Sequence, residues 1–134
     1  WKFKKHCYAQ ADDLIEKTPT GTLPEEFNCA RLLDMHPKVK YWVRNIPKQP
    51  HSSFWLPTEK DYFYPDFVAE LEDGSIFVLE YKGGHLDTAD DARIKNDIGK
   101  QWARDSNSKR KFLMAKKQDK AGRSLEEQIN AVIG

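Results

Sequence analysis

The sequence predicts an α/β fold in which a mixed β-sheet is flanked by helices. Three observations lead there. Capping-box pairs (a Ser or Thr followed three residues later by an acidic residue) open helix-like segments near residues 22, 88 and 124. Alternating or continuously apolar stretches of strand length lie between those segments. The resulting order is helix, several strands, helix, strand, helix, which is how layered α/β domains are built.

The elements follow in order. Residues 1–21 are mixed in character and end in the turn-like Thr18-Pro19-Thr20-Gly21. Thr22 and Glu25 have capping-box spacing and Pro24 suits a first helical turn. Phe27, Ala30 and Leu33 give this helix an apolar face, and Pro37 lies beyond its end. Residues 38–46 alternate as a strand, and Pro47 and Pro50 break it. A short strand is expected over 53–56 and a longer one over 62–71. Ile76-Phe77-Val78-Leu79 is continuously apolar and runs into Glu80-Tyr81-Lys82, the pattern of a central strand covered on both faces. Gly83-Gly84 ends it. Thr88 and Asp91 open a helix to about Arg104, with Ile94, Ile98 and Trp102 as its expected stripe. A strand is expected over 111–115. Ser124 and Glu127 open a last helix carrying Leu125, Ile129, Val132 and Ile133.

The 134 residues suit one domain, with 1–21 as an extension and 22–134 as the core. No apolar run is long enough to span a bilayer and no signal peptide is visible, so a cytoplasmic, membrane-free protein is expected. The chain opens on Trp1, which suggests a processed chain or a piece of a longer one. Cys7 and Cys29 lack metal-ligand spacing and read as reduced thiols, with a disulfide as the alternative. The net charge of +1 is small for a stand-alone nucleic-acid binder. The basic excess is local, at Lys109, Arg110, Lys111, Lys116, Lys117 and Lys120.

Glu80 and Lys82, two apart on a strand, share one face at the end of the most apolar segment. Buried charges need a partner or a metal. Asp66, on the preceding strand, can supply one if the connecting turn is right. A two-residue Asp73-Gly74 turn sets Asp66 opposite Tyr81, on the wrong face. A three-residue turn with Gly74 left-handed pairs Leu71 with Ser75 and sets Asp66 opposite Glu80. The position of Gly74 favours the second. Two carboxylates roughly 5 Å apart then repel by about 3 kcal/mol at an effective dielectric near 20. Lys82 offsets part of this, and a divalent cation with hard oxygen ligands, Mg²⁺ or Mn²⁺, offsets more. Such a site hydrolyses phosphodiesters, with Lys82 orienting water or stabilising developing charge. The alternative is a sheet-end ion pair without catalysis. Glu26 lies within the apolar stripe of the first helix and is a further candidate acid, with helix-dipole compensation as its simpler explanation.

Tyr64-Pro65-Asp66-Phe67 followed by Leu79-Glu80-Tyr81-Lys82-Gly83 resembles the PD-(D/E)XK motif of restriction-endonuclease-like nucleases. Glu26-Phe27-Asn28-Cys29-Ala30, Tyr41-Trp42-Val43-Arg44-Asn45 and Ser53-Phe54-Trp55-Leu56-Pro57 resemble the C-terminal endonuclease region of type III restriction enzyme Res subunits. The resemblance runs from about Glu25 to Lys116. It implies a restriction-endonuclease-like sandwich and a DNA endonuclease using Mg²⁺, with Mn²⁺ as substitute. Asp66, Glu80 and the Tyr81 backbone carbonyl would ligate the metal, Lys82 would be the catalytic lysine and Glu26 the helix carboxylate. It also implies a helicase/ATPase motor in the same parent polypeptide and a methyltransferase subunit as partners. No G-x-x-x-x-G-K-S/T occurs here, so the motor lies outside this sequence.

Further candidates are weaker. Gln101 matches a position where some relatives carry a Gln. Arg93, Lys100 and Arg104 share a helix face and, like Lys109 and Arg110, are candidates for phosphate contact, with solvation as the simpler reading. His85 reads as a loop residue. Trp42, Trp55 and Tyr64 read as packing aromatics, with base stacking as the alternative. Rival functions are a non-catalytic module of the same fold, binding DNA or its parent protein, and an RNA-processing subunit.

Overall fold

The fold was analysed in a computed structural model, which describes residues 5, 25–45, 54, 56–57, 62–82, 89–107 and 109–134. Helix α1 spans Glu25–Met35 and strand β1 Val39–Arg44. Two short strands follow, β2 at Leu56–Pro57 and β3 at Tyr62–Phe63. Strands β4 (Phe67–Leu71) and β5 (Ile76–Tyr81) form a hairpin. Helix α2 (Ala89–Arg104), strand β6 (Arg110–Ala115) and helix α3 (Leu125–Ile133) complete the order. The main sheet runs β1-β4-β5-β6. β1, β4 and β5 are antiparallel in turn, and β5 and β6 are parallel. The parallel pair needs a crossover, which α2 supplies. The architecture is therefore α/β, with a mixed four-stranded sheet and three helices.

The two faces of the sheet bury different residues. On one, Phe67, Ala69, Leu71, Phe77 and Leu79 pack with Cys29, Ala30 and Leu33 of α1 and Ile129 and Ile133 of α3. On the other, Val78 and Phe112 pack with Leu56, Phe63, Ile98 and Trp102. Alternation along β5 produces this division, and four consecutive buried residues, Phe77 to Glu80, identify it as a central strand. The capping box at Ser124 and Glu127 is present, with both reciprocal bonds made. No described helix is long and apolar enough to cross a membrane.

Three expectations need correction. The strand expected over 62–71 is two strands separated at Tyr64-Pro65-Asp66. Pro65 has no N–H for a ladder, and its carbonyl accepts from the buried Asn45 side chain instead. The strand expected over 53–56 is the two-residue β2, and Phe54 lies outside it. Of the apolar stripe expected on α2, Ile98 and Trp102 pack on the sheet and Ile94 does not. Ile94 is exposed, whereas Ala92 and Gly99 are buried and Ala103 is partly so. A Cβ on Gly99 would run into the Phe112 ring, so the helix rolls its small residues onto β6 and gains a close approach. Hydrophobicity alone favours Ile94, but shape decides.

Candidate functional site

The β4–β5 turn settles where Asp66 lies. Leu71 N–H donates to the Ser75 carbonyl at 2.9 Å, and Gly74 takes a left-handed φ of 86°. The loop is the three-residue one, Glu72-Asp73-Gly74, with Gly where a side chain would be strained. The Asp73 carboxylate, held below its usual range by hydrogen bonds from Ser75, pins the turn. The register pairs Phe67 with Leu79. One step further sets Asp66 opposite Glu80, as the turn chemistry predicts.

At that strand end side chains take over from the backbone ladder. Asp66 N–H donates to Glu80 Oε1 at 3.1 Å, and Tyr81 N–H donates to Asp66 Oδ2 at 2.8 Å. Glu80 is 6% exposed. Burial first, then the neighbouring Asp66 charge and a hydrogen bond with it, push its carboxyl up to about 9, against a smaller opposing pull from Lys95. Lys95 of α2 reaches Glu80 Oε2 at 3.7 Å, and Arg44 reaches Asp66 Oδ1 at 3.6 Å. Two half-buried cations thus flank two carboxylates.

Asn45 and Arg44 hold the Asp66 backbone. Asn45 N–H donates to the Asp66 carbonyl at 2.8 Å, while its side chain donates to the carbonyls of Phe54 and Pro65 and accepts from Phe54 N–H. Arg44 donates to the Asp66 carbonyl and lies over the Phe67 ring. Reading the sequence by type and spacing assigned no role to Arg44, Asn45 or Lys95. A cation one helical turn before Gly99, on the small-residue side of α2, is the signal that points to Lys95.

Lys82 lies one residue beyond the end of β5, two after Glu80 and on the same side by alternation. Its N–H donates to the Ala115 carbonyl at 2.8 Å, extending the parallel ladder by one step. Its side chain lines a cavity of about 860 Å³ between α2, β6 and α3. The backbone carbonyl of Tyr81 lies between Glu80 and Lys82 in the chain, at the strand end. Glu26 belongs to α1, but its side chain lies outside the described residues, as do His85, Trp55 and Cys7. Among the described residues the carboxylates at this place come as a pair, with no third His, Cys, Asp or Glu converging.

The remaining candidates divide. Arg93 and Lys100 line the cavity. Gln101 and Arg104 are exposed, with Arg104 donating to Gln101 and Gln101 to Asp105, so Gln101 is not part of the carboxylate cluster. Lys109 and Arg110 sit where β6 begins, opposite Ile76, about 17 Å along the strand from the level of Tyr81. Arg110 stacks on Trp102 there. Trp42 is buried and donates its indole N–H to Asp34, which makes it a core residue rather than a base-stacking one.

No family model, curated protein or solved structure matches the chain.

Proposed function

We propose that this chain is a metal-dependent endonuclease domain of restriction-endonuclease-like fold that hydrolyses DNA phosphodiester bonds. One observation carries the reading: Asp66 and Glu80 face each other across the end of a hairpin, with Lys82 next along the same face. The donor set suits Mg²⁺ or Mn²⁺, because two oxygen ligands that cannot both ionise comfortably side by side gain from a hard cation between them. A bound cation would polarise a phosphoryl oxygen and acidify water. Asp66 and Glu80 would hold it, with the Tyr81 carbonyl as the further ligand and Glu26 as the helix carboxylate that the motif resemblance implies. Arg44 and Asn45 fix the Asp66 backbone, and Lys95 balances Glu80. The Lys82 ammonium orients the attacking water and stabilises negative charge on the phosphoryl oxygens. A P–O bond to water forms, one ester P–O bond breaks, and the leaving oxygen takes up a proton.

The domain is expected to act in the cytoplasm within a longer helicase-type polypeptide, with a methyltransferase subunit as partner. A specific observation favours a second reading, a non-catalytic module of the same fold. Each carboxylate already has partners within the chain, Glu80 with Asp66 N–H and Lys95, and Asp66 with Tyr81 N–H and Arg44. Supercoiled plasmid incubated with Mg²⁺ or Mn²⁺ separates the two. Nicking that disappears in Lys82→Ala, with folding intact, supports the nuclease. No nicking by this chain or by a longer parent, with DNA binding retained, supports the module.

A further inference from the structure

Two lysines end neighbouring parallel strands side by side. β5 and β6 are in register through Tyr81 and Ala115, and the Lys82 N–H to Ala115 carbonyl bond carries the register one step on. Lys116 therefore lies beside Lys82, on the same face by alternation from Met114, itself paired with Glu80. Like charges on adjacent strand ends repel, and an anion between them removes the repulsion. The backbone of Lys116 is held on both sides by the buried Gln128, whose side chain accepts from Lys116 N–H and donates to its carbonyl. The next turn is held by Asp119, which accepts from the N–H groups of Ala121 and Arg123.

The cavity around these lysines extends the pattern. Its cations are Lys82, Arg93, Lys100, Lys116, Lys120 and Arg123, against the single carboxylate Asp119, which pairs with Arg123 at 2.7 Å. Phe112, Met114 and Val132 contribute apolar lining. The cavity crosses β6, the outer strand of the sheet among the described residues, and is walled by α2 and α3. A concavity of about 860 Å³ has the size of a pocket for a few small groups. A lining that combines cations with apolar side chains suits phosphates against the cations and bases or sugars against the apolar groups.

We infer that this groove binds the phosphate backbone of a single polynucleotide strand, leading it past Lys82 toward Asp66 and Glu80; the second half of the statement rests on the nuclease reading, the first does not. An acidic peptide added to the edge of β6 is the competing occupant.

The test uses the full chain in EDTA, so that cleavage cannot contribute. Fluorescence anisotropy measures binding of a labelled oligo-dT 15-mer, a 15-base-pair duplex and poly-glutamate across a salt series. The wild type is expected to bind the single strand at least tenfold more tightly than the duplex or poly-glutamate. Lys116→Ala with Lys120→Ala should weaken single-strand binding at least tenfold and reduce the log–log salt slope by about 1.4, two contacts at about 0.7 each. A charge-matched control, Lys38→Ala with Lys40→Ala, removes two exposed lysines outside the cavity and should change binding less than twofold. Equal losses in the two double variants, or tighter binding of the duplex or poly-glutamate, would overturn the inference. Plasmid cleavage with groove-independent binding sinks the groove and spares the nuclease. Groove-dependent binding without cleavage does the reverse.

Discussion

The two faces of the central sheet are built on opposite terms. The face covered by α1 and α3 is dry and carries most of the buried apolar residues, Phe67, Phe77 and Leu79 among them. The face under α2 has a small core around Val78 and Phe112, and beyond it the same strands carry Asp66, Glu80 and Lys82. Each fully buried large side chain contributes about 1.5–3 kcal/mol, so the dry face supplies most of the stability. A buried carboxylate beside another one works against stability. The fold tolerates that cost on one face because the other face is complete.

The contrast breaks most visibly at Phe77. Phe77→Ala should cost about 4 kcal/mol, measured by urea unfolding, because it empties a site at the centre of the dry face. A loss below about 1 kcal/mol would mean that this face is not the main source of stability.

Glu80→Gln should move stability the other way. The carboxyl ordinarily titrates near 4.5 and in the fold near 9. Between those values the folded chain holds a proton that the unfolded chain has lost. Stability from this source is complete below about pH 4.5 and falls as pH rises to about 9. At pH 7 the cost is on the order of 3 kcal/mol, and the neutral amide removes it while keeping an oxygen for Asp66 N–H. Melting curves from pH 5 to 9 without divalent metal should slope downward for the wild type and be flatter for the variant. Parallel curves would show that Glu80 stays ionised.

Lys82→Ala sharpens the contrast from the functional side. It should reduce plasmid cleavage a hundredfold or more while leaving the melting temperature within a few degrees, since the residue is half-buried at a strand end. A smaller effect belongs to Gly99→Ala. The added methyl meets the Phe112 ring and should cost about 2 kcal/mol by thermal unfolding, although Ala favours helix. The smallest is Ser124→Ala, about 1 kcal/mol, from loss of the cap bond to Glu127 N–H. It touches neither face of the sheet directly and sets the scale for an ordinary surface contact.

Much of this was legible in the sequence. Periodicity located α1, α2 and α3, the capping pair Ser124 and Glu127 marked the start of α3, and the apolar run located β5, while Thr22 and Thr88 lie outside the described residues. Glycine at the third loop position favoured the register that opposes Asp66 and Glu80, but a two-residue Asp-Gly turn also takes a left-handed glycine there, and the Leu71–Ser75 bond of the folded hairpin decides between them. Other features were not legible, for stated physical reasons. Pro65 broke the 62–71 strand through bonds to Asn45, a residue twenty positions away. Ile94 lost its expected burial because the helix followed shape rather than hydrophobicity.

What the sequence determined by itself is therefore local: the helices, a glycine turn, and two side chains on one face of one strand. Such features depend on φ, ψ and spacing within a few residues. The tertiary structure alone decided that Arg44 and Lys95 would meet the carboxylates, and that Lys116 would stand beside Lys82. Those neighbours arrive from separate strands and a crossover helix. Their encounter is set by sheet order and helix roll, which no short stretch of sequence encodes.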